Sequence, residues 1–396
     1  MPPAPGEVAA PTLGIATTLP LRREGREKLT GEAKYTDDLV FPGAWYGAVI
    51  RSTEAHAKLL GLEQDPDFDW SKVVVMTAAD IPGANVVSII IEDMPALAEG
   101  EITHHAQAVA LLAAPDKATL REARKRIRPR TEPLPPVFDP EESDHQFAAY
   151  EISKGDPESA FEEATLIVQG EYRVGPQEQL YIENQAMIAE PREDGGITIT
   201  GSMQCPYYVH SALKRALDLT DEQAVITQAE TGGGFGGKED YPSVVAIHAA
   251  LLAQRVGKPV RMIYDRHEDI ASTTKRHPAI VRYRSGVSAS GRLIAQDIEV
   301  VMDGGAYCTL SPVVLSRGVL HAGGPYECPN VHIRGRSMAT NTPPNGAFRG
   351  FGAPQVGFAH EIQLSRIADE LGVSPAELRR RWIYREGGTT PSGQVL

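Results

Sequence analysis

The feature that most constrains this chain is a glycine-rich segment at residues 231–240, Thr-Gly-Gly-Gly-Phe-Gly-Gly-Lys-Glu-Asp. Five glycines within six positions remove side-chain packing and raise the entropy lost on folding, so an ordered loop here needs a compensating function. Bare backbone lets N–H groups approach an anion, and a helix predicted from Tyr241 would add its positive end. Lys238 precedes Glu rather than Ser or Thr, which excludes the P-loop pattern. The segment predicts a ligand-binding loop, with a mobile surface turn as the alternative.

A second unusual segment, residues 341–355, places one arginine among glycines and aromatic residues in the run Ala-Phe-Arg-Gly-Phe-Gly. The fork of donors on Arg349 suits a phosphate- or dithiolene-bearing ligand, with a phenylalanine ring beside it for stacking. An arginine that caps a helix between two core phenylalanines is the alternative. A quieter segment, residues 201–206, follows a predicted strand; there Gln204 either donates to a ligand or completes a turn.

Composition and cysteine spacing narrow the classes of function. The length of 396 residues indicates at least two domains, and the net charge of −13 argues against nucleic-acid or anionic-membrane binding. The cysteines, Cys205, Cys308 and Cys328, are far apart and lack metal-ligand spacing, which predicts neither a disulfide framework nor a zinc or iron–sulfur site. No signal peptide and no apolar run long enough for a membrane span is visible, so we expect a cytoplasmic protein.

Hydrophobic patterns divide the chain into four parts. We predict a flexible, proline-rich arm at residues 1–24, a first domain at 25–140, a linker at 141–153 and a second domain at 154–396. The density of prolines from Pro129 to Asp144 predicts a stretch without regular structure at this junction. Apolar and alternating runs predict strands at 44–51, 72–77, 106–114, 164–174, 196–202 and 260–264, and a hairpin at 280–285 and 293–302. Helical patterns and caps predict helices at 116–126, 209–217, 241–256 and 359–371, with a last helix after Ser374.

The glycine-rich segment and the Ala-Phe-Arg-Gly-Phe-Gly segment, in this order and at this separation, resemble the molybdenum-binding subunit of the xanthine dehydrogenase and aldehyde oxidase family, the molybdenum hydroxylases. Supporting matches are Gly-Glu-Ala-Lys-Tyr-Thr-Asp-Asp at 31–38 and Gln-Glu-Gln-Leu-Tyr-Ile-Glu at 177–183. The resemblance covers residues from about 20 to the end. It implies an α+β fold: a small α/β hammerhead domain at 25–140, then the first, truncated molybdopterin-binding domain of mixed sheets and helices at 154–396.

The resemblance also implies residue roles around a molybdopterin-type cofactor. Gln204 matches the glutamine that hydrogen-bonds an oxo ligand on molybdenum, the catalytic and cofactor-binding position. The metal itself is held through the pterin, with no protein ligand. The other cofactor-binding positions lie in the two loops: Gly234, Phe235, Gly236, Ala347 and Arg349.

Substrate-binding positions follow in the same way. Phe351 matches the ring that packs on a flat substrate, and Glu239 and Arg317 match the residues that orient a purine in the xanthine-oxidising branch. A carboxyl group and a guanidinium on opposite sides would hold a heteroaromatic ring in one orientation, whereas an aldehyde needs neither. An ordinary ion pair is the alternative for Glu239 and Arg317.

One part of the implied machinery has no counterpart in this sequence. The family hydroxylates with water as the oxygen source and a glutamate base in a Gly-x-Gly-Glu loop, and neither that loop nor a Gly-Gln-Gly cofactor loop occurs here. We therefore expect a partner chain, the C-terminal half of the molybdenum subunit, to carry the base. Iron–sulfur clusters and FAD are expected on further chains. A truncated, inactive remnant is the alternative.

Three functions remain open from the sequence. The first is a component of a purine or N-heteroaromatic hydroxylase, inactive without its partner chains. The second is the same scaffold acting on an aldehyde or a nicotinate-like ring. The third is a non-catalytic module that holds cofactor or partners.

Overall fold

The computed structural model describes residues 22–87 and 89–396. Most of the predicted arm at 1–24 lies outside this part, so the prediction is untested. Residues 22–34 belong to a small N-terminal unit with helix α1 (Gly25–Thr30), which ends at Gly31 in the left-handed conformation. The remainder, Tyr35–Leu396, is one compact unit.

This larger unit contains both strands and helices. Its strands are β1 (Trp45–Arg51), β2 (Ala57–Gln64), β3 (Val74–Met76), β4 (Glu101–Ile102), β5 (Ala108–Ala114), β6 (Ile127–Pro133), β7 (Gln146–Lys154), β8 (Leu166–Val174), β9 (Ala186–Pro191), β10 (Ile197–Gly201), β11 (Ala224–Gln228), β12 (Val260–Ile263), β13 (Ala279–Val287), β14 (Leu293–Gly305) and β15 (Asn330–Ala339). Its helices are α2 (Lys117–Lys125), α3 (Pro157–Glu162), α4 (Pro206–Leu217), α5 (Pro242–Val256), α6 (Arg266–Ser272), α7 (Ser311–His321), α8 (Ala353–Glu370) and α9 (Pro375–Trp382).

The largest sheet joins the two halves of the sequence. Its strand order is β11-β10-β9-β12-β1-β5-β3, and β1 pairs in parallel with β12 through Trp45 opposite Val260. Helix α5 packs on this sheet, and its residues from Pro242 to Ala253 are buried. Such a helix is apolar on all sides because both of its faces meet protein.

A second sheet carries the other core. Its order is β7-β15-β14-β13-β8; α7 packs on β7 and β15, and α8 packs on β8 and β13. A small sheet, β4-β2-β6, completes the fold. Helices α7 and α8, which pack on this second sheet, both contact the segment between β15 and α8. This segment contains the predicted arginine-bearing loop.

The predicted mixture of sheets and helices is confirmed, with two local corrections. The segment 141–153, predicted as a linker, contains β7 from Gln146 onward, and the prolines Pro129 and Pro133 lie within β6. Both strands lie at sheet edges, where a residue without an N–H is tolerated and side chains face solvent, so neither shows the usual apolar pattern. Within the described ranges, none of the helices has the length and apolar character required to cross a membrane.

Candidate cofactor site

The glycine-rich loop, defined as residues 232–238, connects β11 to α5 and is packed against the protein. Gly234, Gly236 and Gly237 are buried, whereas the Phe235 side chain is 47% exposed. Phe235 and Gly236 adopt left-handed backbone angles, with φ of 52° and 101°. Gly237 N–H donates to Gly234 O at 2.8 Å, which closes a tight turn. The packing argues against a mobile surface turn, and ligand binding by this loop stays a prediction.

The arginine loop, defined as residues 345–352, meets the glycine-rich loop directly. Arg349 N–H donates to Phe235 O at 2.9 Å. A Cβ added to Gly236 would lie 2.6 Å from Ala347 O, so only glycine permits this approach. Gln179 Nε2 holds the same carbonyl of Ala347 from the other side at 2.8 Å. The two segments singled out in the sequence therefore form one continuous surface.

Gln204, three residues after the end of β10, bonds the glycine-rich loop. Its Oε1 accepts from Gly236 N–H at 2.9 Å and from Lys238 N–H at 3.3 Å, and its own N–H donates to Lys238 O at 2.6 Å. A Cβ on Gly234 would collide with the same Oε1. Gln204 is exposed, and its Nε2 has no hydrogen-bond partner among the described residues. The amide therefore presents a free donor at the surface of the loops.

A buried ion pair that the sequence did not predict lies beneath the glycine-rich loop. Lys238 is fully buried; its Nζ donates to Glu183 Oε2 and to Ser202 Oγ, each at 2.9 Å, and lies 4.9 Å from the centre of the Tyr181 ring. Burial acts to raise the pKa of Glu183, but the Lys238 ammonium and the hydrogen bonds outweigh it and hold the pKa below its usual value. Glu183 is the last residue of the segment 177–183 that resembles the family, and this resemblance is the only sequence signal that points to it.

The sequence predicts a phenylalanine ring beside Arg349, but the arginine that stacks on a phenylalanine of the arginine loop is Arg276. Arg349 is exposed, and its guanidinium has no described partner. The guanidinium on the Phe348 ring, 4.0 Å from its centre, belongs to Arg276, which also donates to Arg349 O at 3.0 Å and to Gln177 Oε1 at 2.6 Å. The sequence could not identify Arg276 because it comes from the segment before β13, far along the chain.

The predicted contribution of a helix N-terminus is also corrected. Helix α5 begins at Pro242, and the buried carboxylate of Asp240 accepts from Tyr241 N–H at 2.9 Å. Burial raises the pKa of Asp240 to about 6. The N–H groups of Ser243 and Val244 donate to the carbonyls of Asp240 and Tyr241. Pro242 has no N–H, so none of the first described N–H groups of the helix is left for an outside anion.

The predicted substrate-binding residues are tied to the two loops by fewer contacts than the predicted cofactor-binding residues are. Glu239 is half-buried, and burial raises its pKa. Arg317 is exposed on α7; Gly352 of the arginine loop lies so close to α7 that an added Cβ would overlap Val314 O. Phe351 is half-buried against the core beside α7 and α8. Neither the Glu239 nor the Arg317 side chain forms an ion pair with a described residue, so the alternative of an ordinary ion pair is not formed within this part of the chain.

Comparison with known families decides the assignment. The family model for the molybdopterin cofactor-binding domain matches residues 138–383, and the model for the aldehyde oxidase and xanthine dehydrogenase a/b hammerhead domain matches residues 30–135. The chain belongs to the molybdenum hydroxylases. The predicted family and the predicted fold, a hammerhead domain followed by a molybdopterin-binding domain, are confirmed. The domain boundaries at residues 140 and 154 stay predictions.

Named relatives of this molybdenum hydroxylase chain include bacterial subunits. It is 36% identical over 377 residues to a "Probable xanthine dehydrogenase" subunit of Bacillus subtilis (strain 168), covering 92% of this chain and 50% of that protein. It is 35% identical to the nicotinate dehydrogenase large molybdopterin subunit of Eubacterium barkeri, covering 93% of this chain and 89% of that one. The aldehyde oxidoreductase structure from Desulfovibrio gigas matches with a TM-score of 0.86 at 27% identity, covering 94% of this chain and 44% of that chain.

Proposed function

We propose that this chain is the molybdopterin-binding component of a hydroxylase that oxidises a purine or another N-heteroaromatic ring. One observation carries the proposal: the hydrogen bond from Arg349 N–H to Phe235 O, at 2.9 Å, which joins the two loops. Gln204 is bonded to the same glycine-rich loop. The residues with implied cofactor roles therefore gather around one place, as a shared cofactor requires.

The chemistry of these residues fits a molybdopterin. The Nε2 of Gln204, which has no partner in the described part of the chain, is a donor suited to an oxygen ligand, and bare glycine backbone lets a bulky group approach closely. The exposed guanidinium of Arg349 suits the phosphate of the pterin. When bound, the cofactor would supply the redox chemistry that transfers oxygen from water to carbon. In this proposal Gln204 orients the reacting oxygen, and Gly234, Phe235, Gly236, Ala347 and Arg349 hold the group in place.

The charged residues beside the loops favour a heteroaromatic substrate over an aldehyde. Glu239 is half-buried with a raised pKa, so it is suited to exchange a proton or a hydrogen bond with a ring nitrogen. Arg317, on the helix against the arginine loop, is a cation with no ion-pair partner among the described residues, suited to a carbonyl that gains negative charge. Phe351 adds a flat apolar surface. The names of the xanthine dehydrogenase and nicotinate dehydrogenase relatives support the same substrate class.

Partner chains complete the proposed enzyme. The chain spans half of the Bacillus subtilis relative but 89% of the Eubacterium barkeri protein that is named as one subunit. We propose that a second chain, corresponding to the C-terminal half, supplies the glutamate base. Iron–sulfur and flavin chains would carry electrons away, because the three cysteines of this chain are far apart in sequence.

Co-expression of this chain with the neighbouring reading frames tests the proposal. The purified complex is expected to contain molybdenum and pterin in proportion to this chain and to oxidise xanthine or nicotinate. An aldehyde substrate is the control for specificity. A complex without molybdenum would refute the cofactor role; turnover of aldehydes alone would refute the substrate class and support the alternative branch.

A further inference from the structure

One carboxylate closes the neck of the glycine-rich loop. Glu183 Oε2 accepts from Gly232 N–H at 2.7 Å and from Lys238 Nζ at 2.9 Å, so the first and last residues of the loop bind the same oxygen. Its Oε1 accepts from Thr36 N–H at 3.2 Å, which ties the carboxylate to the protein on its other side. The ends of a loop that is mostly glycine are therefore held by side-chain chemistry rather than by packing.

Lys238 transmits this closure to Gln204. Its ammonium is fixed below the loop by Glu183 and Ser202, while its backbone N–H and C=O both bond Gln204, at 3.3 Å and 2.6 Å. The side chain of Lys238 is 0% exposed, so its ammonium has no access to water as a substitute partner. A shift of Lys238 would move both backbone contacts to Gln204 together.

These contacts determine which end of the Gln204 amide faces outward. Oε1 receives N–H groups from Gly236 and Lys238. A flipped amide would place its NH₂ against two further donors and lose both hydrogen bonds, so the carbonyl end is fixed inward. The NH₂ end is left as the outward donor.

We propose that Glu183 and Lys238 are positioning residues that keep the loop neck closed and hold the donor end of Gln204 outward. The inference rests on the proposed function, because it assigns the purpose of this geometry to cofactor binding. Neither residue needs to touch the cofactor. Their effect passes through the backbone at Gly236 and Lys238.

The chain contains a matched ion pair for comparison. Arg51 Nε lies 2.9 Å from Glu268 Oε1, and the two side chains are 10% and 7% exposed. This pair is buried like the Glu183–Lys238 pair, but within the described part of the chain the side-chain hydrogen bonds of Arg51 reach neither loop. Loss of either pair leaves an uncompensated buried charge, so both losses should lower the thermal midpoint of the chain.

The test compares Glu183→Gln with Glu268→Gln in the co-expressed complex and in the full chain alone. Both variants should melt earlier than the unsubstituted protein. Only Glu183→Gln is expected to lower molybdenum per folded chain, by roughly tenfold, and to raise the amide hydrogen-exchange rates of Gly236 and Lys238 by a similar factor in the cofactor-free chain. A double variant, Glu183→Gln with Lys238→Met, should recover much of the melting temperature but not the molybdenum content.

Two outcomes would overturn the inference. One is unchanged exchange at Gly236 and Lys238 in Glu183→Gln; the other is equal loss of molybdenum in Glu268→Gln. Failure of the proposed function looks different: the unsubstituted complex would then lack molybdenum, while the exchange measurement on the chain alone would still decide whether Glu183 holds the loop.

Discussion

The two sides of the candidate site differ in how they are held. On the proposed cofactor side, Gln204 and the glycine-rich loop are tied by hydrogen bonds within this chain. On the proposed substrate side, the side chains of Glu239 and Arg317 have no described hydrogen-bond or ion-pair partner. The loop backbone is therefore fixed by contacts within this chain, whereas no described contact fixes the two charged side chains.

The largest effect is expected from substitution of Gly236, where the two loops meet. Gly236→Ala places a Cβ 2.6 Å from Ala347 O at a φ of 101°, so both strain and overlap oppose folding of the loop. We expect the free energy of unfolding to fall by about 3 kcal/mol, measured by urea denaturation, and molybdenum to be lost from the complex.

Gly291→Ala is the matched control for that substitution. Gly291 has a φ of 75°, but an added Cβ there would meet nothing within 4 Å. Backbone strain alone should cost about 1 kcal/mol and leave molybdenum content unchanged. Equal effects of the two substitutions would show that the contact between the loops is not required.

Replacing the outward NH₂ group of Gln204 tests the role of a single donor on the proposed cofactor side. Gln204→Glu keeps an oxygen acceptor for Gly236 and Lys238 but removes the NH₂ group. Loss of one preorganised donor typically lowers turnover by about a hundredfold. We therefore expect kcat to fall by that order in the loaded complex while the melting temperature changes little. Unchanged kcat would remove Gln204 from the proposed catalytic role.

The pH dependence of stability reports on Asp240, beside the cofactor side. Burial raises its pKa from 3.8 to about 6, so between these values the folded chain keeps a proton that the unfolded chain loses. Stability therefore falls as the pH rises through this window, by roughly 3 kcal/mol in total. Asp240→Asn should remove this loss, measured by urea denaturation at pH 4 and pH 7.

An exposed aspartate provides a control of opposite sign. The hydrogen bonds and charge of Arg192 hold the pKa of Asp194 down at about 2, so its contribution is lost as the pH falls below 3.8. Asp194→Asn should change the profile only in that lower window. A flat difference between the Asp240→Asn protein and the unsubstituted protein would contradict the burial of the Asp240 charge.

The smallest effect on stability is expected on the substrate side. Because Glu239 and Arg317 have no described partners, Glu239→Gln and Arg317→Gln should each change the free energy of unfolding by less than about 0.5 kcal/mol. In the complex the same substitutions should raise KM for a heteroaromatic substrate and leave aldehyde turnover unaffected. A large loss of stability in either variant would show that the side chain is structural.

The sequence predicted those elements whose apolar pattern reflects burial. Residues 106–114 and 241–256 correspond closely to β5 and α5, both deeply buried. It missed β7 and misread the prolines of β6, because these edge strands are defined by hydrogen bonds to β15 and β2, which lie far away in the sequence, rather than by their own side chains. A local pattern carries no information about a partner some 180 residues away.

The candidate site shows the same limit. The two loops were visible because glycine runs are rare, and their meeting follows from the predicted shared ligand. The roles of Lys238 and Arg276 depend on Glu183 and Phe348, 55 and 72 residues away along the chain. Spacing of that kind forms no motif, so only a structure could bring these pairs together.

The parallel pairing of β1 with β12 also has a consequence for synthesis. Strand β1 already has β5 on one side once residue 114 has emerged from the ribosome, but its other side has no partner until β12 follows at Val260–Ile263. At typical elongation rates of 5–20 residues per second, the nascent chain would carry an unpaired apolar strand edge for roughly 7–30 s. During this interval that edge is open to pairing with another chain, which is the usual route to aggregation of an unpaired strand.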